Sequence, residues 1–538
     1  MAPSISILPN IGDRFCSAFI CLAILVVVFA AYHTFFVIHY PSNLPLAGEP
    51  AGRRWFSLRT RWRYLTDCAS LYREAYEKFA KHGKTVLVPG FGARHEIILP
   101  QSAMRWVFSQ PDSALSLDHA FTEIDQIHYG LGNEMYILDP WQGNLVKTEM
   151  NAVLENICAA MNDELGTAFD TYFGVDTENW KEIDLISTVR MIVAQAASRF
   201  TVGLPLCRNE EYLRVSHKIN DALVLNAGLT GSCPKVLRPI IGPIFHWKIG
   251  GYVSQIKKNF EPVFYQRLHK LKSQTGVGNH DEPQDHLQLM LRYAQKHRPT
   301  ELEDVEIMTR RLVVANFGSL HQTSIQVTNM LLEILGSDAE FNTISVLRDE
   351  VQRVIGDGNA EWTKAKVAQM HKADSVARET LRLNSFGNRA TFRKVMVDGI
   401  VTEDGIKLPK GAMLSFLGYP AQVDGENLED PFKYDPFRFS RAREAAADAN
   451  GKPGLNNLSF VSTSPQHLPF GHGKHACPGR FLIDFELKMI IAYVLRNYDV
   501  EFPPEYNGKR PPNVWLAESN NPPPGVKVRV KRQMNSAP

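Results

Sequence analysis

The 538-residue chain has no C-x-x-C pair, and its seven cysteines, Cys16, Cys21, Cys68, Cys158, Cys207, Cys233 and Cys477, are scattered and odd in number. That argues against a zinc ribbon and against a disulfide framework. A surplus of charge is also missing: 59 basic residues stand against 57 acidic ones, for a formal net charge of +2. Neither a charged disordered protein nor a general nucleic-acid binder is expected, so nucleic acid is not among the partners. There is no internal repeat to suggest a solenoid, and no convincing strand-bound G-x-G-x-x-G to mark a dinucleotide site. What is present is a 44% hydrophobic chain, long enough to bury a large core and enclose a cofactor.

Phe15 to Ile38 read FCSAFICLAILVVVFAAYHTFFVI, with no Lys, Arg or acidic residue. As a helix these 24 residues would extend roughly 36 Å, enough to span a bilayer. A cleaved signal peptide would have an apolar core of about 7–15 residues followed by a small-x-small site, whereas this run continues through Phe35 and Phe36. Arg53, Arg54, Arg59, Arg61 and Arg63 follow the span, so the positive-inside rule places the body in the cytosol. The expected organisation is a short lumenal terminus (1–14), a transmembrane anchor (15–38), a proline-rich and basic linker (39–63), and one catalytic body (64–538).

The body reads as mainly α with a small β portion. A helical stretch near 64–83 ends at Gly83, and KTVLVPGFGARHEIILP predicts a two-stranded hairpin. The longest helical pattern runs from Thr300 to Gly336, opened by a Thr300–Glu303 capping box. Short β-like pieces follow position 385, and RFLIDFELKMIIAYVLRNY predicts a last helix.

Directly before that last helix stands Phe470-Gly471-His472-Gly473-Lys474-His475-Ala476-Cys477-Pro478-Gly479. Its glycines allow the backbone to approach something flat, and a cysteine at a helix amino end is favoured as a thiolate, the form that binds metal. Two uses compete. Zinc could draw on His467, His472, His475 and Cys477, though the glycines then have no role. Haem iron with an axial cysteine is the other.

The pattern F-x-x-G-x-(R/H)-x-C-x-G, met by Phe470, Gly473, His475, Cys477 and Gly479, resembles the haem loop of the cytochrome P450 family. Three more segments fall in the family's order. Glu379-Thr380-Leu381-Arg382 has the E-x-x-R spacing, with both charges on one helix face, 98 residues before Cys477. Alone, such a pair is usually a solvated ion pair. Asp435-Pro436-Phe437-Arg438-Phe439 resembles the family's P-x-R-F segment, which implies that Arg438 joins Glu379 and Arg382 in a structural brace. Gly318 to Ser324 interrupts the long helix with small and hydroxyl residues, which commonly just bond back to a preceding carbonyl. The stretch resembles the oxygen-activating element: Thr323 matches its threonine and Gln322 stands where an acid usually stands. An amide cannot relay protons as a carboxylate does, and His321 reads as a polar helix residue.

The resemblance implies a cytochrome P450 fold preceded by one transmembrane helix, haem b bound through Cys477, and Thr323 directing protons to oxygen. His475, Arg389 and Lys147 are the expected contacts to the haem propionates, although the W-x-x-x-R signature is absent around Lys147. The implied activity is a monooxygenase that uses O2 to oxidise a lipophilic small molecule, a terpenoid, polyketide or alkaloid intermediate of fungal secondary metabolism. Desaturation, ring coupling or rearrangement without oxygen insertion is the alternative, and a non-catalytic haem-binding protein a remote one. Electrons are expected from an NADPH-dependent reductase on the same endoplasmic reticulum membrane, meeting Lys474 and Arg480.

Overall fold

The computed structural model describes residues 38–534 apart from 93, 151, 274–281, 357–361 and 451–457. No helix among these residues is long and apolar enough to cross a membrane. The run expected to do so lies outside them, save for Ile38.

The helices that frame the site are α1 (Leu58–Thr66), α2 (Cys68–Lys78), α3 (Leu117–Ile124), α4 (Trp141–Leu145), α5 (Leu154–Tyr172), α6 (Leu185–Thr201), α7 (Glu210–Ser232), α8 (Arg238–Ser273), α9 (Val305–Phe341), α10 (His371–Leu383), α11 (Arg438–Asn450) and α12 (Arg480–Asn497). Ten short strands accompany them, of which β1 (Val86–Pro89), β2 (His95–Ile98), β3 (Leu115–Ser116), β5 (Arg389–Val395) and β6 (Met413–Leu417) form one sheet, ordered β1-β2-β6-β5-β3. β4 (Lys181–Asp184), β10 (Lys527–Arg532) and β7 (Tyr498–Glu501) make a second sheet, and β8 (Val514–Leu516) pairs with β9 (Ser519–Asn521). The mainly α body with a small β portion is therefore observed.

The predicted hairpin forms, with Val86 opposite Ile98 and Pro89 opposite His95. Its tip requires glycine at 92, where φ is +64° and a Cβ would stand 2.0 Å from the Ser232 carbonyl oxygen. Residues 39–63 are not a free spacer: Leu44, Leu46 and Ala47 are buried, and backbone bonds join Ala47 to Leu87 and Leu87 to Pro45. Their apolar side chains find a core against β1, and α1 begins inside the segment.

The central helix α9 starts later than expected. Asp304 caps it, its carboxylate accepting from the N–H groups of Glu306 and Ile307, while Thr300 belongs to the separate turn Pro299–Leu302. Asp304 wins because its carboxylate satisfies two of the orphan donors. The helix ends with Asn342 in the left-handed region. Its carboxy-terminal half is buried all round, as expected of a helix crossing the centre of a large body. Truncating fully buried Leu332 to alanine would cost about 2–5 kcal/mol. Against α9 pack α6, α8, α10 and α12.

Candidate active site

Three structures converge on the cysteine loop. First, Glu379 and Arg382 on α10 meet as two parallel hydrogen bonds of 2.8 Å, both side chains buried. Arg438, at the start of α11, adds its Nε at 3.2 Å, and the Asp435 N–H donates to the same carboxylate. Arg382 also donates to the carbonyls of Gln422 and Pro431, so charge on both sides is met by partners. Such a buried pair persists because its geometry and extra donors offset desolvation. The structure thus brings Glu379, Arg382 and Arg438 together.

Second, the loop itself turns with Gly471 and Gly473 at positive φ, 69° and 65°. The Cys477 N–H donates to the Phe470 carbonyl at 2.7 Å, and the Phe470 ring rests edge-on against Phe460. Gly479 caps α12. Burial pushes the Cys477 thiol up, against the opposing pull of the Arg480 charge and of the Gly479 and Arg480 backbone at the start of α12. The Arg480 N–H itself turns to the Cys477 carbonyl at 3.5 Å, and Cys477 is half-buried. Two histidines of the zinc alternative are engaged elsewhere, His472 bonding Thr463 at 2.8 Å and His475 lying 3.4 Å from Asp112, while His467 is buried with Nε2 unpartnered; among the described residues no three His, Cys, Asp or Glu gather to hold a metal ion.

Third, between residues 305 and 335 of α9 only Gly318 and Gln322 are exposed. Four residues apart, they share one face, and a Cβ added at Gly318 would meet nothing within 4 Å. Thr323 is turned by one helical step, about 100°, into the packed interior, where its Oγ1 is buried without a hydrogen-bond partner. Gln322 occupies the accessible face, and Thr323, beside it, keeps an unpaired hydroxyl of the kind a ligand completes.

The expected propionate contact at Arg389 is corrected as well. Its guanidinium is held by Glu518 at 2.5 Å and Glu96 at 3.1 Å, deep in the sheet. Four residues along β5 lies Arg393, which sequence reasoning missed. The pairing of β5 with β6 slips between Ala390 and Arg393, around Thr391 at φ 55°, and this irregularity re-aims the strand. Arg393 stacks on Phe108 and leaves Nη2 buried without a partner. Burial lowers its pKa to about 10, against the pull of Asp112 and Asp118. The charges of Arg393 and Lys147 both act on His475, whose pKa burial also lowers. Lys147 lies in the π turn that continues α4.

A metal-centred disc bearing carboxylates on one edge fits these residues. Cys477 offers one soft donor on one side, the open face at Gly318 and Gln322 lies on α9, and Arg393 supplies an unsatisfied buried donor for an anion.

Comparisons with known proteins agree with that geometry. The family model "Cytochrome P450" matches residues 144–530. The chain is 60% identical to the cytochrome P450 monooxygenase pbrC of Penicillium brasilianum, over 94% of each chain. It is 59% identical to the monooxygenase astC of Aspergillus terreus, over 93% of this chain and 94% of that one. To tenB of Beauveria bassiana it is 48% identical over 92% of each. Among solved structures, the retinoic acid-bound cyanobacterial CYP120A1 superposes with a TM-score of 0.62, at 16% identity, covering 91% of this chain and 100% of that one, a likeness of fold.

Proposed function

On the premise that this chain belongs to the cytochrome P450 family and is a haem b monooxygenase, we propose that it oxidises a lipophilic terpenoid, polyketide or alkaloid intermediate of fungal secondary metabolism. The bound haem supplies O2 activation, with a cysteine thiolate favouring O–O cleavage. In the net reaction one oxygen atom enters the substrate, and the other leaves as water with two protons and two electrons from a redox partner. Cys477, at the start of α12, would hold the iron through its sulfur. Arg393, with Lys147 and His475, binds the propionate edge, while the Glu379 brace fixes the chain ahead of the loop. Gln322 presents its amide to the reacting side.

The observation that carries this reading is Cys477 at the start of α12, held by its N–H on the Phe470 carbonyl at 2.7 Å in a loop that turns at Gly471 and Gly473. A carbon-monoxide difference spectrum of the reduced protein tests it: the native chain gives the thiolate-ligated band, and Cys477→Ser abolishes it. A pigmented Cys477→Ser protein with an unchanged band would refute the assignment. The amide at Gln322, standing where a carboxylate would relay protons, favours a second outcome, desaturation or rearrangement without oxygen insertion. Product analysis under labelled O2 separates the two.

The location follows from one face. Trp55, Leu58 and Trp62 are exposed beside Arg53, Arg54 and Arg59, and Leu229, Val236, Ile240, Ile244 and Trp247 are exposed at the α7–α8 corner. The hairpin tip joins the two: Arg61 donates to the Gly92 carbonyl, and Gly92 lies against Ser232. Apolar side chains mixed with arginines suit an anionic lipid surface. In sequence the apolar run 15–38 precedes this face, which supports a single-pass anchor in the endoplasmic reticulum, residues 1–14 lumenal and the body cytosolic. An NADPH-dependent reductase on that membrane then donates electrons. Lys474, exposed in a loose 3.9 Å pair with Asp112, can meet its acidic surface, whereas Arg480 is occupied by the Cys477 carbonyl at 2.9 Å.

A further inference from the structure

Residues 459–463, just ahead of the cysteine loop, are held by a second group of buried charges, distinct from the Glu379 brace. Asp374 and Arg378 stand about one turn apart on α10 and both reach this segment. Arg378 donates to the carbonyls of Ser459 at 2.5 Å and Ser462 at 3.1 Å. Asp374 accepts from the Phe460 N–H and from Arg443 on α11, each at 3.0 Å. Its other oxygen lies 3.0 Å from Lys488 on α12, which also pairs with Asp484 at 2.8 Å. Asp374 and Lys488 are 4% and 3% exposed, and the cations Lys488 and Arg443 balance the two carboxylates, as a charge group in the interior requires.

These contacts close a ring around the cysteine. Lys488 lies 11 residues beyond Cys477, on the helix that follows the loop. From Lys488 the path runs to Asp374, then to the Phe460 backbone, and across the edge-on contact of the Phe460 and Phe470 rings at 5.1 Å. The Phe470 carbonyl returns it to the Cys477 N–H at 2.7 Å. Thr463, in the same segment, holds His472 on the other side of Phe470 at 2.8 Å.

We propose that Asp374 and Lys488 are positioning residues for Cys477: they tie the cysteine loop to its own helix, so that the sulfur keeps one place and one direction. This role rests on the haem-thiolate reading. The Glu379 brace serves a different stretch, since its partners Gln422, Pro431, Asp435 and Arg438 all precede residue 440. A ligand held on a glycine-rich loop needs such support from packed neighbours, because the loop has few side chains of its own to lock it.

The test uses the full-length holoenzyme, reduced and carbon monoxide-bound, and follows the rate at which its thiolate-ligated band decays to the thiol-ligated one, with denaturant unfolding measured in parallel. Asp374→Leu and Lys488→Met each speed that decay about 10- to 100-fold, as expected for losing a hydrogen bond to a charged group. Lys488→Met leaves the Phe460 hydrogen bond and the Arg443 pair in place, so it gives the readout should Asp374→Leu fail to fold. Adding Phe460→Leu to Asp374→Leu changes little, because both cut one path. Leu332→Ala, at a buried position of α9, loses stability yet keeps the decay within about twofold of native. Native decay rates in Asp374→Leu and Lys488→Met, additive effects of Asp374→Leu and Phe460→Leu, or a Leu332→Ala decay as fast as theirs would overturn the assignment while the haem-thiolate reading stands. A native protein without the thiolate-ligated band would remove that reading and the positioning role together.

Discussion

Around Glu379 every carboxylate oxygen has a donor, whereas on α9 the Thr323 hydroxyl ends buried without a partner and Gln322 faces open space. The region behind the cysteine is a rigid frame in which polar groups saturate one another. The face opposite is a helix whose groups are left incomplete on the reacting side. A saturated frame holds one geometry, and unsatisfied groups are where chemistry or a ligand supplies the missing partner. Arg393 belongs to the second kind although it lies four residues from Arg389, which belongs to the first.

Breaking the frame carries the largest expected effect. Glu379→Ala leaves Arg382 and Arg438 without their shared anion and destabilises the fold by about 3–5 kcal/mol, measured by denaturant unfolding alongside haem content. A Glu379→Ala protein as stable as the native one would show that the brace is not structural.

The frame has exceptions, of which Glu486 is the carboxylate. Glu486 on α12 is buried with both oxygens unpaired, and burial raises its pKa from 4.5 to about 8. Between those values the folded chain keeps a proton that the unfolded chain has lost, so stability falls as pH rises through that window. Glu486→Gln should remove this slope and add on the order of 3 kcal/mol near pH 7, with little gain below pH 4.5. Parallel pH dependences of native and variant unfolding would contradict it.

The two arginines of β5 sharpen the contrast. Arg393→Gln should speed haem transfer to apomyoglobin by about 10- to 100-fold with unfolding little changed, as expected for losing a hydrogen bond to a charged group. Arg389→Met should do the reverse, lowering stability through the orphaned Glu96 and Glu518 while the remaining folded protein keeps its haem. Identical behaviour of both variants would erase the distinction.

The frame was legible because its residues sit at fixed spacings: Glu379 and Arg382 share a helix face by arithmetic, and the Phe470–Gly479 pattern allows few backbone paths. The hairpin and the last helix were readable from alternation and from an unbroken apolar run. Helix phase was the harder matter. Matching residues in order places Thr323 at the oxygen, but one residue is about 100° of rotation, and which of Gln322 and Thr323 meets the reacting side is not written in the residue order. Arg393 was hidden by the strand irregularity at Thr391, which no residue pattern announces. The docking of residues 39–63 on β1 was likewise a tertiary effect that overrode the extended tendency of their prolines.

The orientation of α9 is tested most directly by the water-to-peroxide partition of Thr323→Val and Gln322→Ala, each with reductase under the same conditions. The account predicts that Thr323→Val stays within about twofold of the native enzyme while Gln322→Ala diverts several-fold more electrons to peroxide. A Thr323→Val enzyme that loses its coupling while Gln322→Ala keeps it would show that the threonine, not the glutamine, faces the haem.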